Sequence, residues 1–250
     1  MATDAPTILA TSGGYKPHDR LRFQFADLVH YAVELSGASA VVPKVCIVGT
    51  AGGDDPRDQV DMSEAGRIAG FSLTHLRLFP MPNLDDIEGH LMAQDVVWVN
   101  GGSVANLLAV WRVHGIDAIM REAWEQGIVL GGVSAGSICW HVGGPTDSFG
   151  PDLRLESGGL GLLPYGNGVH YDSEEQRRPL LHRLVTGGEL PLSYATDDGI
   201  GLLYEGTEPV EVIADTAGSA DPVDGPAAYR VELGGDGDVV ETRLAPSPLR

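Results

Sequence analysis

Residues 131–140 read GGVSAGSICW and follow the apolar run IVL at 128–130. A serine set between small residues after an apolar strand has two readings. One is a nucleophile on a sharp strand-to-helix turn; the other is a tight glycine turn that merely contains a capping serine, since Gly and Ser dominate turns. Gly132-Val133-Ser134-Ala135-Gly136 fits the G-x-S-x-G pattern, in which small neighbours let strand and helix approach closely around a strained serine. The apolar strand before it favours the first reading. So does AGSICWHV at 135–142, which can start a helix whose N-terminal amides face the place where an oxyanion would form. Ser137 would lie inside that helix and is read as a polar residue of its first turn.

Upstream of this stretch, short apolar runs alternate with longer amphipathic segments, the pattern of a parallel sheet with crossover helices. Strands are expected at 7–13, 44–53, 74–80, 95–102 and 128–134, and helices at 25–37, 58–72 and 84–94. One or two further helices are expected within 103–127. Beyond about residue 185 the texture changes: IGLLYEG, PVEVIAD, AAYRVELGGDG and VVETRLAP alternate apolar with polar residues between turn formers, as antiparallel strands do. The expected fold is α/β: a three-layer parallel-sheet core with flanking helices in one domain spanning 1–250, with 186–250 forming a β-rich C-terminal edge. The segment DTAGSADPVDGP (215–226) is read as an exposed loop.

Composition narrows the partners. The chain has 250 residues, long enough for one large domain with a full core. Its 16 Lys+Arg against 35 Asp+Glu give a formal charge of −19, which repels phosphate backbones and anionic lipid at long range. Nucleic acid and membrane are therefore excluded as expected partners. The opening MATDAPTILATSGG carries no basic leader and does not read as a signal peptide, so the expected location is cytoplasmic. Cys46 and Cys139 each sit in an apolar context and are read as packing residues.

A serine hydroxyl needs a base within about 3 Å to take its proton. His141 is nearest in sequence, but seven residues along one helix rise about 10 Å, too far to reach Ser134. His170, in LLPYGNGVHYDSE, is the better candidate: Gly166-Asn167-Gly168 suggests a loop able to present a side chain at a strand end. His18, His30, His75, His90, His114 and His182 lie in helix-like or exposed stretches. An acid must orient the imidazole and stabilise its cation. Asp147, Asp152 and Glu156 lie between serine and histidine, Asp172 lies two residues beyond, and spacing does not choose among them. Oxyanion donors in such a layout come from the residue after the nucleophile, Ala135, and from a glycine loop on a neighbouring strand end, which VNGGS supplies at Gly101 and Gly102.

VNGGSVANLL, GGVSAGS and GLGLLPYGNGVHYD, in that order, resemble the peptidase E and cyanophycinase group of serine hydrolases, related in fold to class I glutamine amidotransferases and flavodoxin-like proteins. The resemblance covers roughly residues 7 to 205. It implies Ser134 as nucleophile, His170 as base and Gly102 with Ala135 as oxyanion donors. The family's acidic member follows its serine, and Asp147 is the nearest acid here. His170-Tyr171-Asp172 also resembles the His-x-Glu of amidotransferases, which keeps Asp172 as the alternative acid. One departure bears on substrate: where peptidase E-like members carry an arginine before Glu-Gln-Arg, this chain has Glu174 before Glu175-Gln176-Arg177. An acid there repels an aspartate side chain at close range, so aspartyl selectivity does not carry over. Arg177, Arg178 and Arg154 are the candidate substitutes. The implied activity is that of a serine peptidase on small peptides, dipeptidase E-like or cyanophycinase-like, working without metal or organic cofactor and with a homodimer as the candidate assembly. The alternatives are an esterase or amidase on a non-peptide substrate, and a non-catalytic binding protein on the same shell.

Overall fold

A computed structural model of the chain describes residues 5–38, 41–215 and 224–247. Its first half runs β1 (Thr7–Thr11), β2 (Tyr15–Lys16), β3 (Gln24–Phe25), α1 (Asp27–Leu35), β4 (Lys44–Val48), α2 (Pro56–Ala69), β5 (Ser72–Leu76), α3 (Ile87–Met92), β6 (Val96–Val99), α4 (Val104–His114) and α5 (Ile116–Glu125). Its second half runs β7 (Val129–Val133), α6 (Ala135–Ile138), β8 (Gly144–Thr146), β9 (Arg154–Glu156), β10 (Gly166–Gly168) and α7 (Arg177–Thr186). The strands β11 (Ser193–Thr196), β12 (Ile200–Glu205), β13 (Glu208–Ala214), β14 (Ala228–Leu233) and β15 (Val239–Leu244) follow.

The central sheet has seven strands in the order β13-β12-β1-β7-β6-β4-β5. The five from β1 to β5 are parallel, and β12 and β13 extend the sheet antiparallel beside β1. The pleat sends alternate residues to opposite faces, so each parallel strand needs an apolar cover on both sides. Ile8, Val48, Val97, Val99 and Leu130 pack with α4 and α5 through Leu107, Trp111 and Met120. Leu9, Ile47, Val96, Trp98 and Val129 pack on the other face with α1 and α2 through Leu28, Val29, Met62 and Ala65. These are the three expected layers. The C-terminal β-rich part divides: β12 and β13 join the central sheet, whereas β14 and β15 complete a separate four-stranded sheet in the order β10-β11-β14-β15, covered by α7.

The expected elements appear with adjusted boundaries. Within 103–127 there are two helices, because Gly115 at φ 69 takes the left-handed conformation that ends α4 and opens α5. β5 starts earlier and stops at Leu76, and the next N–H groups leave the ladder: Leu78 and Phe79 donate to Asp54 Oδ2 at 2.6 and 3.0 Å. Gly166–Gly168, expected as a loop, is instead the strand β10, parallel to β11. The helix expected after Ser134 is a single turn, because the carbonyls of Cys139 and Trp140 accept N–H groups from Leu160 and Leu163 and the chain turns away. Residues 1–4 of the opening segment and 216–223 of the loop expected at 215–226 lie outside the described residues. Among the described residues no helix is long and apolar enough to cross a membrane. Both cysteines are buried and free, and burial raises the Cys46 thiol to about 11.

Candidate active site

The C-terminal ends of β1, β6 and β7 lie side by side, the position at which open α/β sheets carry their ligands. Every residue from Val129 to His141 is buried except Ser134. Its backbone sits at φ 58 and ψ −114, a strained conformation for a residue with a Cβ. The glycines around it follow from the closeness of the turn. A Cβ on Gly132 would lie 2.5 Å from the Gly136 carbonyl oxygen and 2.6 Å from that of Val99, and one on Gly136 would lie 2.0 Å from the Val99 oxygen. Side chains at either position would force β7, α6 and β6 apart.

The glycine loop after β6 closes over the serine. A Cβ on Gly101 would stand 3.2 Å from Ser134 Cβ and 3.7 Å from its Oγ. Gly102 has φ +134 and no room for a side chain, since a Cβ would meet the Ala51 carbonyl oxygen at 2.4 Å. Ser103 then donates its N–H to Ala51 and caps α4 through Asn106, at 2.9 and 3.2 Å. Among the described residues neither the Gly102 N–H nor the Ala135 N–H donates to a protein acceptor.

His170 comes to the same edge from the other sheet. It follows β10 with a left-handed φ of 51, and its N–H donates to Ser12 Oγ at 3.0 Å, one residue past β1. Ser134 donates its own N–H to the carbonyl of Thr11, at 3.1 Å. Consecutive residues at the end of one strand thus anchor the serine and the histidine, although the two lie on different sheets.

The carboxylate on the imidazole is Asp198, in the turn between β11 and β12: its Oδ1 lies 2.5 Å from His170 Nδ1. The histidine side chain is 24% exposed and the aspartate 49%, so the pair opens to solvent. Asp172 does not touch the ring; its Oδ1 accepts the Asp198 N–H at 2.9 Å and steadies that turn from behind. Asp147 is exposed in the connection between β8 and β9, Asp152 is exposed, and Glu156 accepts the Gly158 N–H at 2.8 Å. The structure brings none of these three to His170. The signal that points to Asp198 is an acid pair, Asp197-Asp198, following the short strand SYAT, and that sequence reads equally as hairpin punctuation. Asp197 is buried and holds the turn by accepting the Ala227 N–H and the Tyr229 hydroxyl; burial raises its carboxyl above the usual range.

The remaining candidates have structural partners. His141 is fully buried, with Nδ1 on the Ser137 carbonyl at 2.9 Å, and burial pushes its imidazole down to about 4. The buried Ser137 donates to Asn167 Oδ1 at 2.9 Å, tying α6 to β10. Glu174 holds the Arg177 Nε at 2.7 Å, and the buried guanidinium also donates to the Pro145 carbonyl. Arg178 lies 4.5 and 4.7 Å from the ring centroids of Tyr171 and Tyr229 and pairs with Glu241 at 3.1 Å. Arg154 is exposed on β9. Among the described residues no group of three or more His, Cys, Asp or Glu side chains is arranged to hold a metal ion.

A strained, solvent-reaching serine beside a glycine loop, with a carboxylate-bound histidine anchored to the adjacent strand end, is an arrangement suited to acyl transfer. Residues 8–212 match the model of peptidase family S51. The chain belongs to that family. This S51 serine peptidase is 38% identical over 207 residues to the uncharacterized peptidase YgaJ of Bacillus subtilis (strain 168), an alignment covering 83% of each chain. Its fold resembles the crystal structure of a peptidase from an acI-B1 Actinobacterium, with a TM-score of 0.65 at 14% identity over 97% of this chain and 95% of that one. A candidate peptidase E protein from Listeria monocytogenes EGD-e aligns with a TM-score of 0.59 at 16% identity, over 85% of this chain and 100% of the other. The mixed α/β architecture, a largely parallel central sheet with a β-rich C-terminal sheet, is that of these structures.

Proposed function

We propose that this S51 peptidase hydrolyses short peptides in the cytoplasm through an acyl-enzyme on Ser134, with His170 as base and then acid and Asp198 as the acid that orients it. The observation carrying this reading is the shared anchor at the end of β1: Thr11 receives the Ser134 N–H and Ser12 the His170 N–H. With Nδ1 held by Asp198, Nε2 is the ring nitrogen left to take the Ser134 proton. Oγ then bonds to the scissile carbonyl carbon, and the carbonyl oxygen takes up negative charge facing the Gly102 and Ala135 N–H groups. Collapse expels the amine, which leaves with the proton from Nε2. Water, deprotonated by the same nitrogen, then bonds to the acyl carbon; the C–Oγ bond breaks, Oγ takes that proton from Nε2, and the acid leaves with Ser134 restored.

Substrate preference follows from the arginines. Of the three candidate arginines, Arg177 and Arg178 are committed to Glu174 and Glu241, which leaves the exposed Arg154 on β9 as the remaining one for the side chain of an Asp-Xaa dipeptide. With two of the three withdrawn, the preferred substrates are short peptides with a neutral or basic N-terminal residue. A dipeptide panel tests this, with free and blocked N-termini, simple esters alongside, and Ser134→Ala as control. Cleavage of free dipeptides, abolished in Ser134→Ala, is the expected result. Undiminished hydrolysis by that variant removes the Ser134 mechanism; preference for Asp-Xaa, or for esters over every peptide, removes the substrate assignment.

A further inference from the structure

Resting on the serine-peptidase reading above, we propose that the Ser12 hydroxyl, paired with that of Thr196, is the positioning group that holds His170 in line with Ser134. Ser12 is 4% exposed and is the first residue after β1. Three contacts converge on its Oγ: the His170 N–H at 3.0 Å, Thr196 Oγ1 at 2.6 Å and the Thr196 carbonyl oxygen at 3.0 Å. A serine hydroxyl has one donor hydrogen and two acceptor lone pairs. One arrangement uses all of them: Ser12 donates to the Thr196 carbonyl, while the Thr196 hydroxyl and the His170 N–H donate to Ser12.

The next residue is fixed by the same partner, since the Tyr171 N–H donates to the Thr196 carbonyl at 3.1 Å. Two successive amides are thus clamped, one on Ser12 and one on Thr196. Between them His170 keeps φ 51, a conformation costly for a non-glycine residue and retained only where its surroundings over-determine it. Thr196 ends β11 two residues before Asp198, so the clamp that fixes the histidine backbone also fixes the start of the turn carrying its carboxylate. Ser12 is adjacent to Thr11, which holds the Ser134 N–H. It touches none of the reacting atoms; it joins the three segments that bring them together.

Removing the hydroxyl with Ser12→Ala leaves the His170 N–H without its acceptor and lets the backbone relax from its left-handed conformation. Displacing a catalytic group by about 1 Å costs of the order of 10²-fold in rate. The expected result is a fall in kcat of about 10- to 100-fold with KM little changed, together with faster hydrogen exchange at the His170 amide. Thr196→Val, which keeps the shape and loses the hydroxyl, moves both readouts the same way. Thr196→Ser, which keeps the hydroxyl, retains the wild-type values. The double variant Ser12→Ala/Thr196→Val is no slower than Ser12→Ala alone, because the two groups act as one unit.

All rates are normalised to the fraction of protein whose Ser134 has reacted with a fluorophosphonate once labelling has run to completion, so loss of folded protein does not pass for loss of positioning. Unchanged kcat and unchanged His170 exchange in Ser12→Ala, with a labelled wild type, overturn the Ser12 proposal alone. A lower melting temperature with unchanged kcat per labelled site does the same, since that is the signature of a merely structural role. A wild type that is folded and not labelled at Ser134 overturns the underlying reading instead.

Discussion

Asp198 Oδ1 and His170 Nδ1 lie 2.5 Å apart across 28 residues of chain, and neither residue belongs to a strand or helix. The histidine hangs from the end of β10 and the aspartate from the turn after β11, two strands that run parallel in the smaller sheet, so their following segments emerge at the same edge. The pair is carried to the end of β1 that also anchors Ser134, because β12, which follows that turn, returns antiparallel beside β1 in the larger sheet. The proposed site therefore depends on how two sheets are joined, and its chain order is serine, histidine, acid. That order differs from the serine, acid, histidine of α/β-hydrolases, and the constellation is recognised by geometry and not by succession.

Substituting the three acids separates their roles. In Asp198→Asn the ring loses its carboxylate and the amide favours the wrong tautomer, so kcat is expected to fall by about 10³- to 10⁴-fold while the protein stays folded. In Asp172→Asn the side-chain oxygen still accepts the Asp198 N–H, and the loss is expected to stay within about tenfold. Asp147→Asn, at an exposed position away from the ring, is expected to leave kcat within a factor of about three. Steady-state hydrolysis of one good dipeptide by the three variants decides the matter. If Asp147→Asn is the most damaged of the three, Asp198 is not the orienting acid.

The elbow glycines give opposite outcomes at two positions. A methyl group at Gly136 meets backbone, the Val99 carbonyl oxygen at 2.0 Å, and backbone on both sides has nowhere to go. Gly136→Ala is expected to lose about 3 kcal/mol or more, or to fail to fold. At Gly101 the nearest atoms are Ser134 Cβ at 3.2 Å and the Val133 carbonyl oxygen at 3.5 Å. Gly101→Ala is therefore expected to have an unfolding free energy within about 1 kcal/mol of the wild type and to acylate at least about tenfold more slowly, because the strain falls on Ser134, the proposed nucleophile. Denaturant titration and fluorophosphonate labelling rates measure the two effects separately. Equal destabilisation in both variants would show that the Gly101 loop does not press on Ser134.

Much of this architecture was legible because it is local. The parallel strands announce themselves as apolar runs such as VVWV and KVCIV, which must be buried on both faces, and the elbow announces itself because Gly132 and Gly136 admit no side chain. Asp198 was not legible: Asp198-Gly199 reads as turn chemistry, and its contact with His170 exists only once β11 and β12 have gone to different sheets. Ser12 was hidden for the same reason, since a serine before Gly13-Gly14 has the composition of any turn. The strand character of Gly166–Gly168 was masked by glycine content, and it forms because β11 supplies the parallel partner. Local sterics leave marks in the sequence, whereas contacts made between sheets leave few.

His141 gives a pH dependence of stability whose sign is fixed by burial. Its imidazole is lowered from 6.5 to about 4, chiefly because the fully buried site disfavours the cation, with the Ser137 carbonyl opposing in part. Between these values the unfolded chain binds a proton that the folded chain does not. The stabilisation is therefore complete above about pH 6.5 and is lost as pH falls toward 4, by about 2 kcal/mol between pH 7 and pH 5. His141→Leu has nearly the same volume and nothing to titrate. Urea unfolding of both proteins at pH 7 and pH 5 is expected to show the variant losing about 2 kcal/mol less than the wild type across that interval, whatever its stability at pH 7. Parallel losses in the two proteins would mean that the site admits the imidazolium, through water or an altered ring position, and that the contact with Ser137 is not made by a neutral ring.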